Sequence, residues 1–164
     1  LHPRVRRQRQ MCIRDRQKIE HFSIKPNIRL LCEDAENLSL SSNTFDVVTI
    51  SFGIRNFENI VKGLSECHRI LKEGGSLFIM EFSTPKHKVF NVLYRIYSKH
   101  ILPLIGQVIS NDDKAYKYLP ESIVEFNREH EFTELLLNNG FDSCISISLS
   151  NGIAHIYIGV KSKM

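Results

Sequence analysis

Residues 45–81 read FDVVTISFGIRNFENIVKGLSECHRILKEGGSLFIME, and this stretch decides the fold. It opens on FDVVTIS, residues 45–51, a β-branched run of strand length. The run is apolar enough to predict a strand buried on both faces. Over residues 58–71, Ile60, Val61, Leu64, Cys67, His68 and Leu71 recur at helical spacing. That spacing predicts an amphipathic helix, which Gly74 and Gly75 are expected to stop. SLFIME, residues 76–81, predicts a second buried strand. A strand, a helix and a strand in succession predict a parallel pair with a helical crossover.

The same alternation continues outward. Upstream, NIRLLC at residues 27–32 follows Pro26 and predicts a short strand. Downstream, residues 89–106 are apolar and aromatic, interrupted by Pro103, and read as one or two helices forming a cap. Residues 122–125 open a further helix, and residues 131–139 form another that Gly140 ends in the left-handed region. Residues 142–149 and 154–160 are two strands joined by a short turn at Asn151-Gly152, which predicts an antiparallel pair at one edge. The fold class is therefore α/β, with a mostly parallel sheet and helices on both faces.

The 164 residues are 42% hydrophobic and 24% charged, which suits one globular domain. No apolar run approaches the roughly 20 residues that span a bilayer. No secretory apolar region is seen near the start, so a cytoplasmic location is expected. The net charge of +4 comes from residues 1–16, LHPRVRRQRQMCIRDR, where six arginines face one acid, Asp15. Residues 17–164 are close to neutral. The head has no apolar periodicity and reads as sequence foreign to the domain, the rival reading being an arginine-rich arm for nucleic acid. Cys12, Cys32, Cys67 and Cys144 form no CxxC pair and no histidine joins them at zinc spacing, so they read as reduced thiols, with no metal site.

In open α/β sheets, ligands bind outside the carboxyl ends of the strands. Three such ends matter. At the first, Asp34 either accepts a hydrogen bond from an adenine amino group, with the Ala35 N–H facing a ring nitrogen, or merely ends the strand in an Asx turn. At the second, Ser51 either contacts a cofactor near the reacting group or is a small residue suited to a tight exit. Arg55 and Asn56 follow. A guanidinium there suits an aromatic hydroxyl that must become phenolate, and the alternative is a surface arginine paired with Glu58. At the third, Glu81 either orients the loop beyond its strand or satisfies backbone N–H groups.

Three segments carry a resemblance: DAENLSLSSNTFDVVTISFGIRNF, HRILKEGGSLFIMEFSTP and ILPLIGQVISNDDKAYKYLPESI. Over residues 17–161 the chain resembles the ubiquinone/menaquinone biosynthesis C-methyltransferases, with SFGIRN and the YxYLxESI pattern the most specific signals. The resemblance implies a Rossmann-like class I methyltransferase sheet in the strand order three-two-one-four-five-seven-six, with an antiparallel hairpin at the C-terminal edge. The sheet is expected to be incomplete, because the first two strands and the glycine-rich cofactor loop have no counterpart in the sequence. The implied reaction is methylation of a ring carbon of a polyprenylated benzoquinol or demethylmenaquinol by S-adenosylmethionine. The resemblance also implies residue roles: Asp34, Ala35 and Ser51 for the cofactor, Arg55 and Asn56 for catalysis, and Tyr116, Tyr118 and Ser122 for the quinol pocket. Residues 89–125 correspond to a helical lid over the prenyl tail. Peripheral contact with the inner membrane, a homodimer or a quinone-biosynthesis complex, and no nucleic acid are the implied partners. The alternative is an inactive fragment, or a non-catalytic partner subunit, of such an enzyme.

Overall fold

The computed structural model describes residues 28–85, 91, 92, 96, 123, 126 and 132–163. Strand β1 is Phe45–Ser51, helix α1 Ile60–Ile70 and strand β2 Leu71–Phe82. Helix α2 (Phe132–Asn138) leads into β3 (Phe141–Leu149) and β4 (Ala154–Lys161). The strands form one sheet in the order β1-β2-β4-β3. β1 and β2 run parallel, while β4 is antiparallel to both β2 and β3. This is the four-five-seven-six part of the expected order.

Helix α1 starts where a side chain can take its first N–H groups. Asn59 is the N-cap, and its Oδ1 accepts from the Lys62 N–H at 3.0 Å. Gly63, Leu64, Cys67 and Ile70 form the buried stripe. The helix does not run on to Gly74-Gly75, as the sequence predicts. Leu71 is already extended, and the Lys161 ammonium takes the His68 and Leu71 carbonyls at 2.9 Å each. The two glycines instead lie within β2, where the pairing with β1 shifts from Phe45↔Leu71 to Val47↔Ser76. Gly140, with φ at +91°, ends α2 as expected.

The core lies on one face of the sheet. Leu64 and Cys67 from α1 meet Phe132 and Leu136 from α2 over Val48, Ile50, Leu77, Ile79 and Tyr157. Burial pushes the Cys67 thiol up to about 11, as for an inert core cysteine. Among the described residues both helices thus cover the same face, where the alternation predicts helices on both. A right-handed β1–α1–β2 crossover fixes the side of α1, and α2 joins it before the chain turns back antiparallel.

The opposite face carries Val47, Phe78, Met80, Ile156, Ile158, Ile145 and Ile147 by register. Val47, Ile145 and Ile147 are 52%, 54% and 44% exposed. The β1 run is therefore half-buried on one face and exposed on the other, because α1 and α2 cover only one face of the sheet. Residues 28–33 form no strand, and only an isolated bridge joins Asp34 to Asn37. A strand needs a neighbour for its N–H and C=O groups, and the described residues offer this segment none.

An apolar sheet face of this kind drives association. The chain as given should elute as oligomers or aggregate in size-exclusion chromatography. Ile145→Lys/Ile147→Lys should raise the monomer fraction severalfold. A monodisperse parent chain with a sharp cooperative melt would contradict this.

Candidate functional site at the carboxyl ends of the parallel strands

The carboxyl ends of β1 and β2 lie side by side, with Ser51 paired to Met80 and the Phe52 N–H bonded to the Met80 carbonyl at 2.8 Å. The chain then turns sharply. Phe52 has φ of +54°, a left-handed conformation that costs a non-glycine residue about 1–2 kcal/mol. Two contacts hold it there: its ring stacks on Phe82 at 4.3 Å, and its carbonyl accepts from Arg55 Nη1 at 3.0 Å. A short 3-10 turn, Ile54–Asn56, follows, with Ile54 wholly buried. Phe57 packs so closely on α1 that a Cβ at Gly63 would fall 2.3 Å from its ring. That position accordingly takes glycine.

Arg55 is not a surface arginine. Its guanidinium forms an ion pair with Glu81, and the two side chains are 9% and 0% exposed. The Glu81 carboxylate also accepts from the Phe82 N–H at 2.9 Å and the Arg55 N–H at 3.4 Å. Both sequence readings of Glu81 thus describe what it does here: it orients the loop by satisfying backbone N–H groups. Arg55 Nε is buried and has no hydrogen-bond partner among the described residues. On the neighbouring strand, burial and then the charge of Glu81 raise the Tyr157 hydroxyl above its usual value.

Asp34 is exposed, and its Oδ1 accepts from the Glu36 N–H at 3.0 Å, the Asx turn of the simpler sequence reading. Glu36 ties that turn to the site, accepting from the Glu58 and Asn59 N–H groups at 2.6 and 2.9 Å, at the start of α1. Further along, Arg69 binds the Leu38 and Leu40 carbonyls, and Glu66 takes the Leu38 N–H. Asp34 and Ala35 are thereby fastened to the helix that leaves the β1 loop. Ser51 is exposed at the end of β1, and Asn56 is exposed in the 3-10 turn. Tyr116, Tyr118 and Ser122 lie outside the described residues.

Sequence reasoning gave Glu81 little weight and missed the partners Phe82 and Glu36. The available signal for Glu81 was an acid closing the apolar run SLFIM. An acid at the end of a buried strand needs a cation or several N–H groups.

Breaking a buried ion pair leaves an uncompensated charge. In the Ile145→Lys/Ile147→Lys background, Glu81→Leu should lower unfolding free energy by about 3–5 kcal/mol. Arg55→Met/Glu81→Leu should lose clearly less. Chemical denaturation of the three proteins measures both, and equal losses would refute the pairing.

Comparison with known proteins gives the family. The profile of the ubiE/COQ5 methyltransferase family matches residues 6–161. A demethylmenaquinone methyltransferase of Porphyromonas gingivalis is 38% identical over 145 residues, 88% of this chain and 59% of that protein. The mitochondrial 2-methoxy-6-polyprenyl-1,4-benzoquinol methylase of Bos taurus is 40% identical over 146 residues, 89% of this chain and 44% of that one. The chain spans about half the length of these relatives. In fold it is similar to a SAM-dependent methyltransferase from Aquifex aeolicus, with a TM-score of 0.58 at 14% identity over 88% of this chain and 60% of that one. With the family profile covering nearly all of its residues, the chain belongs to the ubiE/COQ5 methyltransferase family.

Proposed function

We propose that the chain carries the acceptor side of a C-methyltransferase that uses S-adenosylmethionine to methylate a ring carbon of a polyprenylated quinol. Family membership supports the reaction class, and the relatives' names refer to demethylmenaquinone and to a benzoquinol. The observation that carries the reading is Arg55: a buried guanidinium at the carboxyl ends of the parallel strands, with Nε without a partner among the described residues.

The residues present suit the nucleoside end of the cofactor. The Asp34 turn is fixed by Glu36 to the start of α1, and the exposed Asp34 carboxylate accepts from the Glu36 N–H at Oδ1. Asp34 and Ala35 would hold the adenine, and Ser51 would meet the cofactor near the reacting group. The sequence has no glycine-rich loop for the rest of the molecule. When bound, the cofactor supplies an electrophilic methyl group.

The acceptor chemistry belongs to Arg55. A guanidinium remains cationic at any working pH, so a phenol oxygen beside it gives up its proton more readily. The loss is eased further where water is scarce and the donor is already in place. Charge on that oxygen spreads to the adjacent ring carbon, which bonds the methyl carbon as the methyl–sulfur bond breaks and sulfur keeps the electron pair. The phenol proton passes to water, and the ring carbon then loses its own proton as the phenol is restored. The site must hold that carbon within about 3–3.5 Å of the methyl carbon. Asn56 follows Arg55 and would contact the ring. The lid over the prenyl tail that the resemblance implies for residues 89–125, with Tyr116, Tyr118 and Ser122 for the quinol pocket, lies outside the described residues apart from 91, 92, 96 and 123. An apolar tail of this kind is met at a membrane surface, so on this reading the protein would be cytoplasmic and in peripheral contact with the inner membrane, alone, as a homodimer or within a quinone-biosynthesis complex.

The test uses this chain alone and the same chain completed at its N-terminus with the matching segment of the Porphyromonas gingivalis relative. Calorimetric titration should find S-adenosylmethionine bound far more weakly by the chain alone. In the completed enzyme, Arg55→Ala should reduce turnover of a short-chain quinol by about 10²–10³ and leave cofactor affinity nearly unchanged. Full turnover in Arg55→Ala would reject the role, and equal affinities would reject the cofactor reading.

A further inference from the structure

Glu81 is the buried acid of the described core, and its carboxylate joins the end of its own strand to the loop that presents Arg55. Its carboxylate engages the guanidinium at Nη1, the main-chain N–H of the same residue and the N–H of Phe82. Nη1 is doubly used, since it also donates to the Phe52 carbonyl. Arg55 Cζ lies over the Phe82 ring, 5.7 Å from its centroid. The guanidinium is therefore held at Nη1 and over that ring. Nε stays buried and without a partner among the described residues. A buried N–H donor left unpaired costs free energy, and native structures rarely keep one without a use.

We propose that Glu81 is a positioning residue of the acceptor site: it clamps Arg55 by Nη1 and by its main-chain N–H, so that Nε–H is reserved for the oxygen of the phenolate acceptor or for a water bound to it. The inference rests on the role given to Arg55 above and extends it to a second residue. Glu81 does not touch the substrate; it acts through the guanidinium. Its negative charge tempers the cation while its geometry fixes the donor, which is how preorganised donors gain their effect without reorganising during the reaction. The clamp also keeps Phe52 in its left-handed conformation, because Nη1 bridges the Glu81 carboxylate and the Phe52 carbonyl.

A double-mutant cycle in the completed enzyme separates positioning from a purely structural role. Glu81→Gln keeps the size of the side chain and one acceptor oxygen but removes the charge. It should lower kcat about tenfold, less than the loss of the donor itself, with quinol KM and cofactor Kd within about threefold of the parent. Glu81→Asp, which keeps the charge, should recover part of that loss. In the Arg55→Ala background, Glu81→Gln should cause no further loss of kcat, because the group it positions is gone. Losses that multiply in the double variant would make Glu81 an independent structural residue and overturn the inference. So would parent-like kcat in Glu81→Gln, with the role of Arg55 left standing. Parent-like kcat in Arg55→Ala would instead overturn the proposed function. If Glu81→Gln fails to fold, the cycle is run with Glu81→Asp, whose smaller loss of kcat should likewise vanish in the Arg55→Ala background; a loss that persists there would overturn the inference.

Discussion

A carboxylate wholly withdrawn from water, Glu81, fixes the end of the sheet where the chemistry is proposed. Burying a single charge is costly, and the cost is offset only when a partner and further hydrogen bonds surround it. Here the partner is Arg55, and the further bonds come from the N–H groups of Phe82 and of Arg55 itself. All of them belong to the exits of two adjacent parallel strands. The pair therefore decides how the chain leaves β1, and hence where α1 begins.

The segment before β1 depends on that same helix. Glu36 receives the N–H groups of Glu58 and Asn59, while Glu66 and Arg69 bind the backbone of Leu38 and Leu40. Asp34 and Ala35 thus reach the carboxyl end of the sheet without a strand of their own. An ion pair on one side of the β1 exit and a helix-anchored turn on the other give the site its two halves: the proposed acceptor side and the proposed adenine side.

Much of this was legible in the sequence because it is local. The β-branched run at Phe45–Ser51, the helical spacing through Leu64 and Cys67, Gly140 at a helix end and the C-terminal hairpin each carry their own signal. The failures are places where neighbours decide. NIRLLC looks like a strand, but a strand exists only when paired. Gly74-Gly75 looks like a helix stop, but Lys161, ninety residues further on, caps the helix earlier. The candidate site divides in the same way. Asp34, Ser51 and Arg55 stand next to strand ends and could be found by position. The partnership of Arg55 with Glu81 could not, because parallel register alone brings together two residues 26 apart in sequence.

The central claim is that Arg55 is clamped at Nη1 and keeps Nε–H for the acceptor. Proton exchange at the arginine side chains, followed by NMR on the completed enzyme, tests it most directly. The account predicts that Arg55 Nε–H exchanges much more slowly than the Nε–H groups of solvent-exposed arginines. It also predicts that this resonance moves when a short-chain quinol is added, and that exchange quickens in Glu81→Gln. An Arg55 Nε–H that exchanges as fast as an exposed arginine and ignores the quinol would contradict it.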